Sequence, residues 1–127
     1  MSTAPLPDAF AELLGIEVVG SGSGAAARVT VAAEHLNPHG TTHGSFLYSL
    51  AGIALAAAAN DAAHSGIVSA VHIDYLRPSG PGDELRATAR VAERLPREDL
   101  FEVRVVREPG DELIARASGR ATRRTRG

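Results

Sequence analysis

The sequence contains no cysteine and no lysine, and both absences narrow the possible functions. Without cysteine, the chain cannot form disulfide bridges, cysteine-ligated zinc sites or thiol nucleophiles, and a reducing compartment is favoured. All thirteen basic residues are arginine, which a bias in codon composition explains as well as any function does. The first of them is Arg28, so the preceding stretch lacks the charged region of a secretory signal. We therefore expect a cytoplasmic protein.

The charge and the hydrophobic pattern argue against two further classes of protein. The formal net charge is −2 at pH 7, so nothing in it favours binding to nucleic acid or to an anionic membrane. The most apolar segment follows Gly44 and spans about fifteen residues, fewer than the ~20 that a membrane-spanning helix needs. A chain of this length suits one domain with a substantial core. We predict one soluble domain over residues 1–127.

Local patterns predict a helix and a strand hairpin at the start of the chain. Residues 7–14 are predicted to form a short helix, because Pro7 suits a first turn and Gly15 a helix end. Residues 16–19 and 25–31 are predicted to form two strands. The glycine-rich turn between them is not followed by Gly-Lys-Ser/Thr or by a helix, so we do not predict a phosphate-binding loop.

The centre of the chain is predicted to be a loop followed by a long helix. Pro38 and Gly40 interrupt regular structure over residues 32–43. From Gly44 to Asn60 the sequence is uncharged and apolar on all faces, a pattern typical of a helix that is buried on most sides. In a chain this small, we expect a curved sheet to provide that burial.

Alternating apolar and polar residues predict four strands in the remainder of the chain. They cover residues 67–77, 84–94, 100–106 and 113–122. The last four strands are predicted to form a meander. The order of elements predicts an α+β fold, in which one antiparallel sheet wraps around one long central helix. The basic carboxyl-terminal tail is predicted to fray. Its arginines are Arg120, Arg123, Arg124 and Arg126.

Two histidines in the predicted loop have the spacing of a metal-binding pair. His39 and His43 are four residues apart. They straddle a glycine, however, and no acidic third ligand lies nearby in the sequence. We therefore predict no metal site.

Two motifs together resemble the hotdog-fold thioesterases of the phenylacetate-degradation type. The first, over residues 37–51, is Asn followed by His-Gly six residues later and then by Ser-Leu-Ala. The second is Ile-Asp-Tyr-Leu-Arg-Pro at residues 73–78, with Gly-Asp-x-Leu at 82–85. Order and spacing match over roughly residues 10–123, and it is the combination, not the His-Gly pair, that makes the resemblance specific.

The resemblance implies a fold, an assembly and an activity. In this family the sheet wraps around the helix, and two copies pair their sheets edge to edge as a homodimer, often doubled to a homotetramer. The active sites lie at the dimer interface. The family hydrolyses acyl-CoA thioesters, commonly aryl-acetyl ones, without a metal or any cofactor beyond the coenzyme A of the substrate.

The resemblance also assigns roles to individual residues. Asn37 matches the asparagine near the thioester or the attacking water, and His43 matches the histidine that opens the helix. Gly44 matches the glycine whose backbone N–H polarises the thioester carbonyl. Ser45 stands where the family usually has a second glycine. The family's catalytic aspartate falls on Gly52, so this chain lacks the acid at that position.

The chemistry of these residues supplies candidate oxyanion donors for a hydrolytic site but no evident general base. A helix N-terminus offers unpaired N–H groups, so Gly44 and Ser45 are candidate oxyanion donors. Gly52 cannot act as a general base. His43 is the preferred substitute base, since its pKa range suits that role, although it could instead cap the helix. Surface or structural roles remain open for other titratable candidates, namely His39, Asp61 and Asp74.

Five further residues are candidates for substrate binding. Leu47 and Tyr48 could line an acyl pocket, although core packing explains such positions equally well. Ser69 and Ala70 could flank the pantetheine arm, by analogy with the family only. Arg77 could contact the coenzyme A phosphates, because arginine suits phosphate recognition.

Two functions from different classes remain open at this point. The first is hydrolysis of acyl-CoA thioesters, slow or with a relocated base. The second is non-catalytic binding of an acyl-CoA or acyl-carrier thioester, as a sensor or carrier accessory. A hydratase or dehydratase on the same fold ranks third, because its usual pairing of an acid with a histidine is not evident.

Overall fold

The computed structural model describes residues 5–124, which form one six-stranded antiparallel sheet around one long helix. The elements in chain order are α1 (Ala9–Leu14), β1 (Glu17–Val19), β2 (Ala26–Thr30), a 3-10 turn (Ala33–His35), α2 (Gly44–Ala59), β3 (Gly66–Tyr75), β4 (Glu84–Arg94), β5 (Glu98–Glu108) and β6 (Glu112–Arg123). The predicted α+β architecture is confirmed. Each predicted boundary lies within two residues of the observed one, and the predicted loop contains the short 3-10 turn.

The strands follow the order β1-β2-β4-β5-β6-β3, and every neighbouring pair is antiparallel. The last three strands in the chain form a meander, but the prediction of a four-strand meander is wrong for β3, which crosses over to pair with β6 at one edge of the sheet. A register shift between Val68 and Ala70 marks a bulge in β3. Because a bulge changes the alternation of side chains, Val68, Val71 and Ile73 all pack against the core on the side of α2.

The core lies between α2 and the concave face of the sheet. Its largest fully buried side chains include Leu50 and Leu55 from the helix and Phe101 from β5. Gly119 of β6 lets the helix approach closely. A Cβ atom at this position would lie 2.3 Å from the Leu55 Cδ1 and 2.8 Å from the Ala70 carbonyl oxygen.

The prediction of a frayed carboxyl-terminal tail is wrong for the residues that the structure describes. Arg120 and Arg123 belong to β6, and the Arg124 N–H donates to the Ser65 carbonyl at 2.7 Å. Asp99, only 2% exposed, pairs with the guanidinium groups of Arg94 at 2.8 Å and Arg123 at 3.1 Å. These ion pairs of a buried carboxylate with two partly exposed arginines connect the end of β6, at Arg123, to β4 and β5. Arg126, the last arginine of the predicted tail, lies outside the described residues.

Within residues 5–124, none of the helices combines the length and the apolar character that crossing a membrane requires.

Candidate active site

The start of α2 is capped by the side chain of the residue that precedes it. His43 has an extended backbone, and its Nδ1 accepts a hydrogen bond from the Ser45 N–H at 2.9 Å. The Ser45 N–H, predicted as a second oxyanion donor, is therefore occupied by the cap. The Gly44 N–H has no acceptor among residues 5–124. The two predicted donors are thus reduced to one.

The same cap fixes the chemistry of the His43 ring. Because Nδ1 accepts a hydrogen bond from the backbone, the neutral ring carries its own proton on Nε2. A general base needs a free lone pair directed at the attacking water. In this arrangement His43 has none to offer, so the structure gives it the capping role and not that of the predicted substitute base.

Tyr75 covers the first residue of α2, and the sequence interpretation did not identify it. Its hydroxyl donates to the Gly44 carbonyl oxygen at 2.8 Å. A Cβ atom on Gly44 would lie 3.2 Å from the Tyr75 Cζ. Burial raises the pKa of Tyr75, and the nearby Tyr48 raises it further. The only signal in the sequence was its place in the Ile-Asp-Tyr-Leu-Arg-Pro motif, which does not show which element it meets.

The amide of Asn37 organises the loop that precedes the helix. Its Oδ1 accepts from the N–H groups of His39 at 2.9 Å and Thr41 at 3.1 Å, and its Nδ2 donates to the Thr41 Oγ1 at 2.8 Å. These bonds are those of a turn residue. The loop is fastened to the chain after β3, where the Ser79 hydroxyl donates to the Thr42 Oγ1 at 2.7 Å.

A depression of about 350 Å³ opens beside the start of α2. It brings together four of the predicted site residues, and Tyr75 and Leu76 from the end of β3 form another wall. The predicted residues in it are Asn37, Gly44, Leu47 and Arg77. The predicted contact of Arg77 with phosphate is restricted, because its Nη1 donates to the Leu113 carbonyl at 2.7 Å and its Nε lies 3.8 Å from Glu112.

Other predicted residues lie outside this depression. Ser69 and Ala70 are exposed on the edge strand β3, and the Ser69 hydroxyl donates to the Arg120 carbonyl at 3.3 Å. Tyr48 is 44% exposed on the outward side of α2. Tyr48 still lies one helical turn after Gly44 and close enough to Tyr75 to raise its pKa, whereas Ser69 and Ala70 do not line the depression with Gly44.

Gly52 stands on the open side of α2, eight residues after Gly44. Apart from the neighbouring backbone of its own helix, no atom of residues 5–124 lies within 4 Å of the position that a Cβ would take. Two carboxylates considered from the sequence are engaged elsewhere. Asp74 pairs with the His72 Nε2 at 3.0 Å, and Asp61 with the His64 Nδ1 at 2.9 Å.

The environment of Asp61 does not favour a role as base. Burial alone would raise the pKa of this carboxyl group, but hydrogen bonds from the His64 side chain and from the N–H groups of Ala63 and His64 lower it overall. Asp61 also follows the far end of α2, two residues beyond Ala59. Residues 5–124 contain no group of three or more acidic or histidine side chains that could hold a metal ion.

A curved antiparallel sheet wrapped around one long helix defines the hotdog fold. The chain belongs to the Thioesterase superfamily, whose family model matches residues 39–114. It is similar to the acyl-coenzyme A thioesterase PaaI of Escherichia coli K12, with 38% identity over 102 residues, 80% of this chain and 73% of that protein. The resemblance drawn from the two sequence motifs is therefore confirmed.

Solved structures agree with this assignment. The structure of the E. coli PaaI protein from the phenylacetic acid degradation operon has a TM-score of 0.86, with 34% identity over 93% of this chain and 86% of that chain. An asparagine-to-aspartate mutant of the phenylacetic acid degradation protein PaaI from Thermus thermophilus has a TM-score of 0.85 and 36% identity. That match covers 92% of this chain and all of the other.

Proposed function

We propose that this protein hydrolyses acyl-CoA thioesters and binds the thioester carbonyl at the Gly44 N–H. The observation that carries the proposal is that this N–H lacks an acceptor among residues 5–124. It belongs to Gly44, the first residue of α2, which lines the depression. Membership of the Thioesterase superfamily and the similarity to an acyl-coenzyme A thioesterase support the choice of reaction. In this proposal the reaction needs no cofactor beyond the coenzyme A of the substrate.

The start of α2 suits the negative charge that develops on the thioester oxygen. A helix N-terminus carries a positive partial charge, and its first N–H groups have no partners within the helix. An oxyanion donor of this kind contributes about 10²–10³ in rate. In this chain one donor remains, because the cap by His43 occupies the next N–H.

The distance between Gly44 and position 52 implies that two protomers build each site. Eight residues of α-helix separate the two positions by about 12 Å along the axis. The oxyanion donor and a base that activates water must both act within about 3 Å of the same reacting group. Position 52 can therefore serve only a carbonyl held at Gly44 of another copy. We propose a homodimer as the functional unit, with a homotetramer as its doubled form.

Glycine at position 52 leaves two candidate functions, slow hydrolysis and binding without cleavage. A positioned general base contributes about 10²–10⁴ in rate, so its loss leaves a slow enzyme or one with a relocated base. The same lack of an acid favours the alternative, a protein that binds an acyl-CoA or acyl-carrier thioester without cleaving it. An aryl-acyl group as the preferred substrate is part of the proposal.

The experiment that decides between the two functions combines turnover and binding. Coenzyme A release is measured against a panel of aryl-acetyl and straight-chain acyl-CoAs, and binding of the same compounds is measured by calorimetry. Turnover above the spontaneous rate supports hydrolysis. Micromolar binding with no turnover would reject hydrolysis and support the binding function.

A further inference from the structure

One peptide unit at the start of α2 is held at both of its ends. The carbonyl of Gly44 accepts the hydroxyl of Tyr75 at 2.8 Å, and the N–H of Ser45, in the same peptide plane, donates to the His43 Nδ1 at 2.9 Å. One partner is a sequence neighbour, and the other comes from the end of β3. A peptide plane that is bound on both sides cannot rotate without breaking a hydrogen bond.

Each of these two hydrogen bonds strengthens the other. A donor on a peptide carbonyl polarises the whole peptide, which makes its N–H a better donor in turn. Tyr75 therefore supports the cap by His43. The Gly44 N–H belongs to the preceding peptide, which is joined to the held one at the Gly44 Cα. A fixed Gly44–Ser45 plane therefore restricts the orientation of this N–H, which has no acceptor among residues 5–124.

Tyr75 reaches Gly44 because of the bulge in β3. Strict alternation from Val68 would place Tyr75 on the outer face of the sheet, away from α2. The register shift between Val68 and Ala70 moves the following odd-numbered residues to the inner face. The ring then lies where a side chain on residue 44 would project, with its Cζ 3.2 Å from that Cβ position. Glycine at 44 thus makes room for Tyr75.

We propose that Tyr75 is a positioning residue that fixes the Gly44–Ser45 peptide and thereby aims the Gly44 N–H at the thioester carbonyl. The proposal rests on the function proposed above. Tyr75 acts through Gly44, so its effect falls on the orientation of the oxyanion donor and not on substrate affinity. Rates respond strongly to such orientation, since small displacements of a reacting group lower them by orders of magnitude.

We call the two hydrogen bonds that hold the Gly44–Ser45 peptide, from Tyr75 and to His43, the clamp. The clamp is tested without any substrate. In Tyr75→Phe, which keeps the ring and removes the hydroxyl, amide hydrogen exchange of the Ser45 N–H measured by NMR is expected to be about fivefold faster. Tyr48→Phe is the matched control, because its hydroxyl has no hydrogen-bond partner among residues 5–124. Equal exchange rates in the wild type and Tyr75→Phe would overturn the clamp.

The effect on the reaction is tested by steady-state kinetics. Tyr75→Phe is expected to lower kcat about tenfold, part of the full value of an oxyanion donor, with KM unchanged within about twofold. A loss of folded protein alone would lower the apparent activity without changing kcat per folded site. An unchanged kcat, or a change confined to KM, would overturn the positioning role. An inactive wild type would reject the hydrolase assignment. The exchange rates of the Ser45 N–H would still show whether Tyr75 stabilises its hydrogen bond to His43.

Discussion

At the scale of single residues, the proposed site uses Gly44 as the donor, and Gly52 stands at the position proposed for a base. Apart from the neighbouring backbone of its own helix, no atom of residues 5–124 lies within 4 Å of a Cβ on Gly52, so packing inside the protomer does not require glycine there. The proposed exchange of an acid for glycine at this position therefore concerns chemistry and not the fold. Likewise, the tautomer set by the cap determines what His43 can do.

Restoring the acid at position 52 should accelerate hydrolysis. We expect Gly52→Asp to raise kcat by about 10²–10⁴, because a carboxylate can activate water there. Gly52→Asn is the matched control, with the same shape and no basic lone pair of comparable strength. Coenzyme A release from acyl-CoA substrates measures both. Equal rates for the two variants would show that position 52 is not the place of a base.

Replacing His43 should reveal a cap and not a base. His43→Ala is expected to lower the free energy of unfolding by about 0.5–2 kcal/mol, measured by chemical denaturation, because the Ser45 N–H loses its acceptor. His43→Asn should restore most of this stability, since asparagine is a favourable cap. The pH–rate profile of His43→Asn should keep the shape of the wild type. Loss of a limb near neutral pH would instead identify His43 as the base.

At the scale of elements, the site depends on how closely α2 lies on the sheet. Gly119 of β6 faces Leu55 of the helix, and the Ala70 carbonyl lies beside it. The bulge in β3 at the same level directs the following side chains toward the helix. The close packing of α2 and the position of Tyr75 therefore both depend on the paired strands β3 and β6.

Adding one methyl group at Gly119 should disturb this packing. Gly119→Ala places a carbon 2.3 Å from the Leu55 Cδ1 and 2.8 Å from a backbone oxygen, which cannot both move aside. We expect a loss of about 1–3 kcal/mol in the free energy of unfolding. Gly80→Ala, where no atom lies within 4 Å, should change it by less than about 0.5 kcal/mol. Similar values for the two variants would contradict this view of the helix–sheet contact.

At the scale of the whole molecule, the proposed reaction needs two copies of the chain. One copy holds both Gly44 and position 52, but its helix keeps them about 12 Å apart. The outward side of α2, with Tyr48 at its surface, and the edge strand β3 are both open in the single protomer. A second copy that covers these surfaces would bring its own position 52 to the donor of the first.

Mixed dimers test this arrangement directly. Gly44→Pro removes the donor N–H at the first helical position, where the backbone of a helix accepts proline. The proline Cβ also displaces the Tyr75 ring, whose Cζ lies 3.2 Å from that position, so both changes disable the Gly44 side of that protomer's site. We expect the double variant Gly44→Pro, Gly52→Asp to be inactive alone. Co-expressed with the wild type, it should give heterodimers that are faster than the wild type, because one site then combines an intact Gly44 with Asp from the other copy.

The control for this experiment is Gly44→Pro co-expressed with the wild type, which should give no gain. Suppose that the Gly52→Asp homodimer is faster than the wild type but the mixed dimers are not. The Gly44 N–H and the acid at position 52 would then act within one protomer. A monomer in analytical ultracentrifugation would contradict the shared site independently.

The sequence alone determined the elements and the start of the helix. Helix and strand patterns depend on residues a few positions apart, so the strands and α2 could be predicted to within two residues. The cap is equally local, because His43 and Ser45 are two residues apart. The sequence also shows that residue 52 is glycine, on which the proposal of an absent base depends.

Which distant groups meet depends on the packing of the whole chain. Tyr75 binds Gly44 across 31 positions, and Asp99 is enclosed by Arg94 and Arg123. These contacts depend on strand order, on the crossover of β3 to β6 and on a one-residue bulge that exchanges the two faces of a strand. No local pattern encodes such a register, because it is set by the packing of the whole sheet against the helix.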